Sequence, residues 1–183
     1  IADGCADIWL DPQATRAWDL CTGNGSLAVL AAMAWPNLHI TASDLSTDAL
    51  AVARINIDQH GLQQRIDLLQ GAGLEPALAQ GLRFDLIVCN PPYVNTQSMA
   101  ALPAEFQAEP DLALAGGTDG MDFVRPLLAQ LPQVLNENGV LILEIGHERA
   151  FFEAAFPHLA PVWLDTSAGG DQVLLLTREM LLV

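Results

Sequence analysis

Asn90-Pro91-Pro92-Tyr93 is the stretch of this chain best equipped to do chemistry. It follows the apolar run Phe84-Asp85-Leu86-Ile87-Val88-Cys89, which reads as a buried parallel strand. Asn90 therefore stands where a strand ends and a loop begins, the usual place for a ligand in an open α/β sheet. Neither Pro91 nor Pro92 has an N–H, so neither can continue a ladder. A residue before proline is held extended, which restrains Asn90 and Pro91 alike. The expected result is a stiff corner with an amide side chain, backbone carbonyls and an aromatic ring. Such a corner can hold a planar amide or amino group by accepting its N–H bonds. Taken alone, Asn-Pro-Pro reads more simply as a turn that ends a strand; Tyr93 and a glycine loop upstream favour the binding corner.

That loop is Asp19-Leu20-Cys21-Thr22-Gly23-Asn24-Gly25, a strand running into a glycine turn and then a helix. Gly23 and Gly25 lack Cβ atoms, so the backbone can turn sharply and a ligand can lie against it. Asp44 ends the next strand, where a carboxylate can accept two hydrogen bonds from a ribose diol. Two cofactors compete for this geometry. Gly23-x-Gly25-x-x-Ala28, with Asp44 about 20 residues on, also fits the dinucleotide fingerprint. Asp19 tilts the balance. A carboxylate just before the turn repels a pyrophosphate but attracts a cationic amino-acid moiety. S-adenosylmethionine carries an ammonium and a sulfonium and no phosphate.

The elements that must position these residues follow in order. Ala17-Trp18-Asp19-Leu20-Cys21 reads as the first strand, and Ser26 to Trp35 as an Ala/Leu-rich helix closed by Pro36. Leu38 to Ser43 is the second strand. Ser46 is placed to cap a helix that runs to about His60 and stops at Gly61. Arg65 to Gln70 is the third strand, with Gly71-Ala72-Gly73 as its exit loop. Residues 94–120 show no period, and a loop of that length suits a lid or substrate wall. Met121 to Asn136 reads as helical, with Pro132 marking a kink or break. Val140 to Ile145 is a fifth strand, and Glu148 to Phe156 a helix ended by Pro157. Val162 to Leu164 and Val173 to Thr177 are the last two strands, joined too briefly for a parallel crossover. Residues 1–16 read as the end of a helix and a connection. The whole predicts an α/β domain: a seven-stranded, mostly parallel sheet with helices on both faces and an antiparallel C-terminal hairpin.

Composition narrows the function classes. Hydrophobic residues make up 51% of the 183 and charged ones 16%, which argues for a compact core and against disorder. The longest apolar run, Leu27 to Trp35, is too short to span a bilayer, so no membrane role is expected. Seven Lys and Arg stand against 22 Asp and Glu, a net charge of −15. A nucleic-acid binder needs a basic face, so a basic protein partner is expected instead. Cys5, Cys21 and Cys89 are scattered and odd in number, which reads as reduced thiols in a cytoplasmic protein. The four histidines show no metal spacing, and no metal is expected. The chain begins Ile1-Ala2-Asp3 without an initiator Met, which reads as a fragment or processed form.

At these residues the chain resembles the class I S-adenosylmethionine-dependent methyltransferases. Its Asn-Pro-Pro-Tyr places it near those that methylate a planar nitrogen. The likeness is nearest to the protein-glutamine methyltransferases of the PrmC/HemK and PrmB type, and within them to the ribosomal-protein branch. It rests on the glycine loop, Leu102-Pro103-Ala104-Glu105-Phe106, Glu109-Pro110, Gly117-Thr118-Asp119-Gly120, Trp163-Leu164-Asp165 and Gly169-Gly170-Asp171. It implies a Rossmann-like fold over residues 1–183 as a catalytic domain, without the family's small helical N-terminal domain. It implies S-adenosylmethionine as cofactor, held by Asp19, Cys21, Thr22, Gly23 and Gly25, with Asp44, Leu45 and Asn90 around it. The substrate would meet Asn90, Pro91, Pro92 and Tyr93. The family's acidic residue near the adenine amino group is replaced by Ala72, so backbone around Gly71 to Gly73 is expected to substitute.

The implied reaction methylates a glutamine side-chain amide of a basic protein, first large-subunit ribosomal protein three. A peptide release factor is the alternative, as is an adenine or cytosine amino group of nucleic acid; a cofactor-binding protein without turnover is a further class. Asn90 and Pro91 would accept the two amide N–H bonds, while Tyr93 packs against the amide plane. Without its N-terminal domain the chain is expected to turn over protein substrate poorly. Glu109 and Glu144 are supporting candidates rather than general bases.

Overall fold

The computed structural model describes residue 4 and residues 6–99, 111–167 and 169–182. Cys5 and the stretches around Leu102 and Glu109 lie outside the described residues. The strands are β1 (Arg16–Leu20), β2 (His39–Asp44), β3 (Ile66–Gln70), β4 (Phe84–Cys89), β5 (Leu135–Glu144), β6 (Val162–Thr166) and β7 (Gly169–Thr177). They form one seven-stranded sheet in the order β3-β2-β1-β4-β5-β7-β6. β1 to β5 pair in parallel, while β7 runs antiparallel to both β5 and β6. The expected mostly parallel sheet with a C-terminal hairpin is what the chain forms.

The helices are α1 (Ser26–Ala34), α2 (Thr47–Gln59), α3 (Glu75–Gln80), α4 (Thr96–Met99), α5 (Asp111–Leu114), α6 (Val124–Gln130) and α7 (Arg149–Ala155). Two buried clusters show why the sheet is covered on both faces. On one, Ala17, Ile40, Ala42, Leu86 and Val88 pack against Ala28, Ala31 and Ala32 of α1 and Ile57 of α2. On the other, Trp18, Leu20, Ile87, Leu141 and Leu143 pack against Ala77 of α3, Leu127 and Leu128 of α6 and Phe152 of α7. Successive residues of a strand point to opposite faces, so strands buried on both sides read as continuous apolar runs. Trp18 is fully buried; its indole N–H donates to Ser43 Oγ at 2.7 Å, which satisfies a donor that would otherwise be costly to bury.

Three expectations are corrected. The helix expected over 121–136 is α6 followed by a 3-10 turn at Leu131–Gln133. Pro132 has no N–H for an α-helical bond, and the turn tightens instead. Beyond it the chain is already strand: Leu135 pairs with Phe84, and the regular ladder resumes at Val140 opposite Leu86. Helix α3 was not expected, although its signals are present, with Pro76 at its first turn and Gly81 at φ 62° as its stop. Residues 6–9 form turns rather than the end of a helix.

The hairpin is longer than its apolar runs suggest, with Thr166 opposite Gly169. Its tip carries Asp165 and Asp171, polar residues that hide strand character.

Candidate active site

Strands β1 and β4 are neighbours although β2 and β3 lie between them in sequence. Chain order reverses there, and the C-terminal edge of such a switch point is where open α/β sheets bind ligands. Leu20 stands opposite Cys89. The loop beginning at Cys21 and the corner beginning at Asn90 therefore leave the sheet side by side. Leu20 is also opposite Ser43, and Asp44 opposite Gln70. The ends of four adjacent strands thus bring Thr22 and Gly23, Asp44 and Leu45, Gly71 to Gly73, and Asn90 to Tyr93 to one edge. With strands about 4.8 Å apart, Asp44 and Asn90 are roughly 10 Å apart across β1, the span of a nucleoside with its attached chain.

The glycine loop is built by hydrogen bonds from behind. Asp19 is fully buried; its Oδ2 accepts the Ala28 N–H at 2.9 Å and the Thr22 hydroxyl. It thereby caps an orphan N–H in the first turn of α1. Oδ1 of Asp19 has no hydrogen-bond partner among the described residues. Burial pushes this carboxyl up to about 7, against the lowering effect of the Thr22 and Ala28 bonds, and the nearby Asp44 charge adds to the rise. Gly25, at φ 81°, presses on α2: a Cβ there would stand 3.0 Å from Ala53 Cβ. Gly23, at φ 54°, is different, since a Cβ there would meet no atom within 4 Å. Gly25 serves packing, and Gly23 faces open space at the strand-end edge. Cys21 at φ 61° is the one residue other than glycine with positive φ among the described residues. Its left-handed backbone starts the turn. The buried Cys89 thiol lies beside Cys21, and burial pushes its pKa well up.

Asp44 is half-buried and uses both oxygens on backbone: Oδ2 accepts Gly23 N–H at 2.9 Å and Oδ1 accepts Ser46 N–H at 2.8 Å. Each oxygen keeps a second lone-pair direction for a ligand. Leu45 beside it is 50% exposed. In the β3 exit loop, Gly71 N–H donates to the Asp44 carbonyl at 3.1 Å, and Ala72 C=O accepts the Glu75 N–H at 3.1 Å. Of the backbone expected to replace the missing acidic side chain, these two groups already serve the fold.

At the corner, Asn90 is exposed, Pro91 is buried, and Pro92 and Tyr93 are half-buried. Tyr93 lies among glycines. A Cβ on Gly146 would stand 2.5 Å from the Tyr93 ring, one on Gly120 would stand 2.3 Å from its carbonyl oxygen, and one on Gly116 2.7 Å from its Cα. The Tyr93 hydroxyl donates to Glu144 Oε1 at 3.3 Å. Glu144, expected only in a supporting place, is thereby tied to the corner. Sequence reasoning missed Asn95 and Glu148. Both are buried, and the Asn95 amide donates to Glu148 Oε1 at 2.8 Å and Oε2 at 2.9 Å.

The residues of the expected lid split. Val94 N–H donates to Leu114 C=O at 2.8 Å, and Gly116 N–H to Val94 C=O at 2.9 Å. This pins the segment after α5 to the corner. Asp119 accepts the Met121 N–H at 3.1 Å and pairs with Arg125, whose hydrogen bond holds its carboxyl below the usual range. Residues 100–110 of that stretch lie outside the described ones.

A family model, the methyltransferase small domain, matches residues 8–118. The chain belongs to that family. A ribosomal protein uL3 glutamine methyltransferase from Bordetella pertussis is 58% identical over 98% of this chain and 60% of its own length. One of the same name from Burkholderia pseudomallei is 50% identical over 95% of this chain and 59% of its own. The chain therefore spans about three fifths of the length of these curated relatives. Among solved structures, a methyltransferase from Pyrococcus furiosus superposes with a TM-score of 0.63 at 16% identity, over 94% of this chain and 79% of its own. At that identity the likeness shows the fold, and the small-domain methyltransferase chain has the class I architecture. No helix among the described residues is long and apolar enough to cross a membrane.

Proposed function

We propose that this methyltransferase domain uses S-adenosylmethionine to methylate the side-chain amide nitrogen of a glutamine in ribosomal protein uL3. The observation that carries the reading is the Asn90–Tyr93 corner beside a glycine loop and Asp44 at one switch point. The names of the relatives support the substrate.

The residues fit that cofactor. Gly23 leaves its face of the loop open, and Asp44 has lone-pair directions left for a ribose diol. The charge of Asp19, carried by an oxygen without a partner among the described residues, lies behind the loop and favours a cation in front of it. Leu45 offers an exposed apolar surface to a purine. Cys21, Thr22 and Gly25 hold the loop's shape. When bound, the cofactor supplies a methyl group on a positively charged sulfur.

The protein must then present a poor nucleophile well. An amide lone pair is delocalised into its carbonyl. The Asn90 side-chain oxygen and the Pro91 carbonyl accept the two N–H bonds, which turns the nitrogen toward the methyl and shifts electron density onto it. Pro91 and Pro92 keep those acceptors still. Tyr93 packs on the amide plane and excludes water. Positioning of this kind supplies up to roughly 7–11 kcal/mol in ideal cases. The methyl would leave its sulfur as a neutral thioether, and the nitrogen, more acidic once methylated, would then lose its proton to solvent. A basic substrate matches the net charge of −15.

The test is mass spectrometry after incubation with methyl-labelled S-adenosylmethionine and, separately, uL3, a release factor and bare RNA or DNA. Label on a uL3 glutamine is the expected result. Label on release factor alone, or on nucleic acid, overturns the substrate assignment.

A further inference from the structure

We infer that Glu148 and Asn95 are a positioning pair that sets where Tyr93 stands. The inference rests on the glutamine-methylating reading for its catalytic consequence, and on geometry alone for the placement of Tyr93. Glu148 lies in the turn between β5 and α7; Asn95 lies two residues beyond Tyr93, on the loop leaving β4. The two are 53 residues apart in sequence and both are buried.

The polarity of the pair is fixed. Ser98 N–H donates to Asn95 Oδ1 at 2.8 Å, so the Asn95 nitrogen must face Glu148. That nitrogen stands within hydrogen-bond distance of both carboxylate oxygens, which share its N–H, and the Asn95 backbone N–H also points at Oε1, at 3.5 Å. Among the described residues no cation pairs with Glu148. A buried carboxylate held only by amide donors is worth its desolvation only if those donors stay in place.

Tyr93 is caught between the two ends of this pin. Its ring lies on Gly146, two residues before Glu148. Its carbonyl oxygen and Glu148 Cγ meet on the same side of Gly120, where a Cβ would stand 2.3 Å from the one and 3.2 Å from the other. Its hydroxyl reaches Glu144 on the strand that leads into the same turn. Moving Asn95 away from Glu148 therefore moves the corner relative to Gly146 and Glu144. Neither residue touches the substrate in this reading; they act through Tyr93.

Tyr93 is the only tyrosine in the chain, so carbon-13 labelling of tyrosine at Cζ yields one resonance that reports its placement without any substrate. Glu148→Gln keeps the shape but sets an NH2 against the Asn95 NH2. The expected result is a shifted or split resonance and a single-turnover methylation rate down by about 10- to 100-fold, with S-adenosylhomocysteine affinity within about twofold. Asn95→Asp alone sets two carboxylates face to face and is expected to do worse. Combining Asn95→Asp with Glu148→Gln restores complementarity. The carboxylate now at position 95 accepts from the amide now at position 148, and still accepts from the Ser98 N–H. The double variant is expected to return the resonance and most of the rate. An unmoved resonance in Glu148→Gln, or a double variant no better than either single one, overturns the inference. Should the label go to a release factor or to nucleic acid and not to uL3, the functional reading fails, and the resonance still decides the pin.

Discussion

Asp44 Oδ2 accepts the Gly23 N–H at 2.9 Å, so the carboxylate proposed to hold a ribose also holds the glycine turn in shape. Site and scaffold share one side chain. Asp44→Ala then removes the side-chain acceptors of two backbone N–H groups as well as the ribose contact, each charged hydrogen bond being worth about 1.5–3 kcal/mol. We expect the melting temperature of the free chain to fall and calorimetric affinity for S-adenosylhomocysteine to drop by at least tenfold (about 1.4 kcal/mol). Unchanged affinity, or tight binding of NAD in its place, would remove Asp44 from the cofactor site.

Gly23 and Gly25 should respond differently to alanine. Both have positive φ, so each substitution carries backbone strain of about 1–2 kcal/mol. Only at Gly25 does the new methyl also run into α2, against Ala53. Gly25→Ala should lower the melting temperature more. Gly23→Ala should lose only the stability that the backbone strain costs, and should lose cofactor affinity, since its methyl enters the open face. Equal losses of stability and equal retention of binding would contradict the assignment of the two roles.

Asn90 is exposed at the end of β4, so its replacement should leave folding and cofactor affinity nearly intact. Asn90→Ala removes an acceptor for the substrate amide, a penalty of about 1–3 kcal/mol, and displacement of the nitrogen by about 1 Å adds up to a further hundredfold. Asn90→Asp keeps an acceptor and should retain weak activity. Thermal melting, cofactor affinity and single-turnover rate, measured on one preparation, decide it. A fall in melting temperature with the rate preserved would assign Asn90 to the fold.

Asp19 predicts a pH dependence. Its carboxyl is raised to about 7 in the folded chain, above an ordinary value near 3.8. Between those values the folded state holds a proton that the unfolded state releases, so this group's contribution to stability is fully present below about 4 and is lost as pH rises through 7. Asp19→Asn should flatten that part of the stability profile. A cation bound near Asp19 draws its pKa down, so cofactor binding near pH 7 should release a fraction of a proton. Calorimetry in two buffers of different ionisation enthalpy measures it. Equal proton release by the Asn variant would place the titrating group elsewhere.

The net charge of −15 against a basic substrate predicts a salt effect. Methylation of uL3 at low substrate should slow as ionic strength rises from about 0.05 to 0.3 M, through kcat/KM more than kcat, because screening weakens encounter rather than positioning. A salt-independent kcat/KM would mean that charge does not guide the partner.

The local signals of this chain sufficed for much of its architecture. An apolar run, a proline pair, a glycine turn and an Asp at a strand end are short-range features. Each placed its own element, β4 over Phe84–Cys89 included. Resemblance then named the chemistry. What those signals do not carry is adjacency. That β4 lies beside β1, that Asp44 reaches back to Gly23, and that Asp19 is sealed behind the loop all depend on strand order. The pin between Asn95 and Glu148, and the glycines at 116, 120 and 146 that make room for Tyr93, join segments with no common pattern. In sequence Asn95 and Glu148 look like ordinary surface polar residues. Only the packing of the β5–α7 turn against the β4 exit loop buries them, and burial converts a weak amide–carboxylate contact into one the corner depends on.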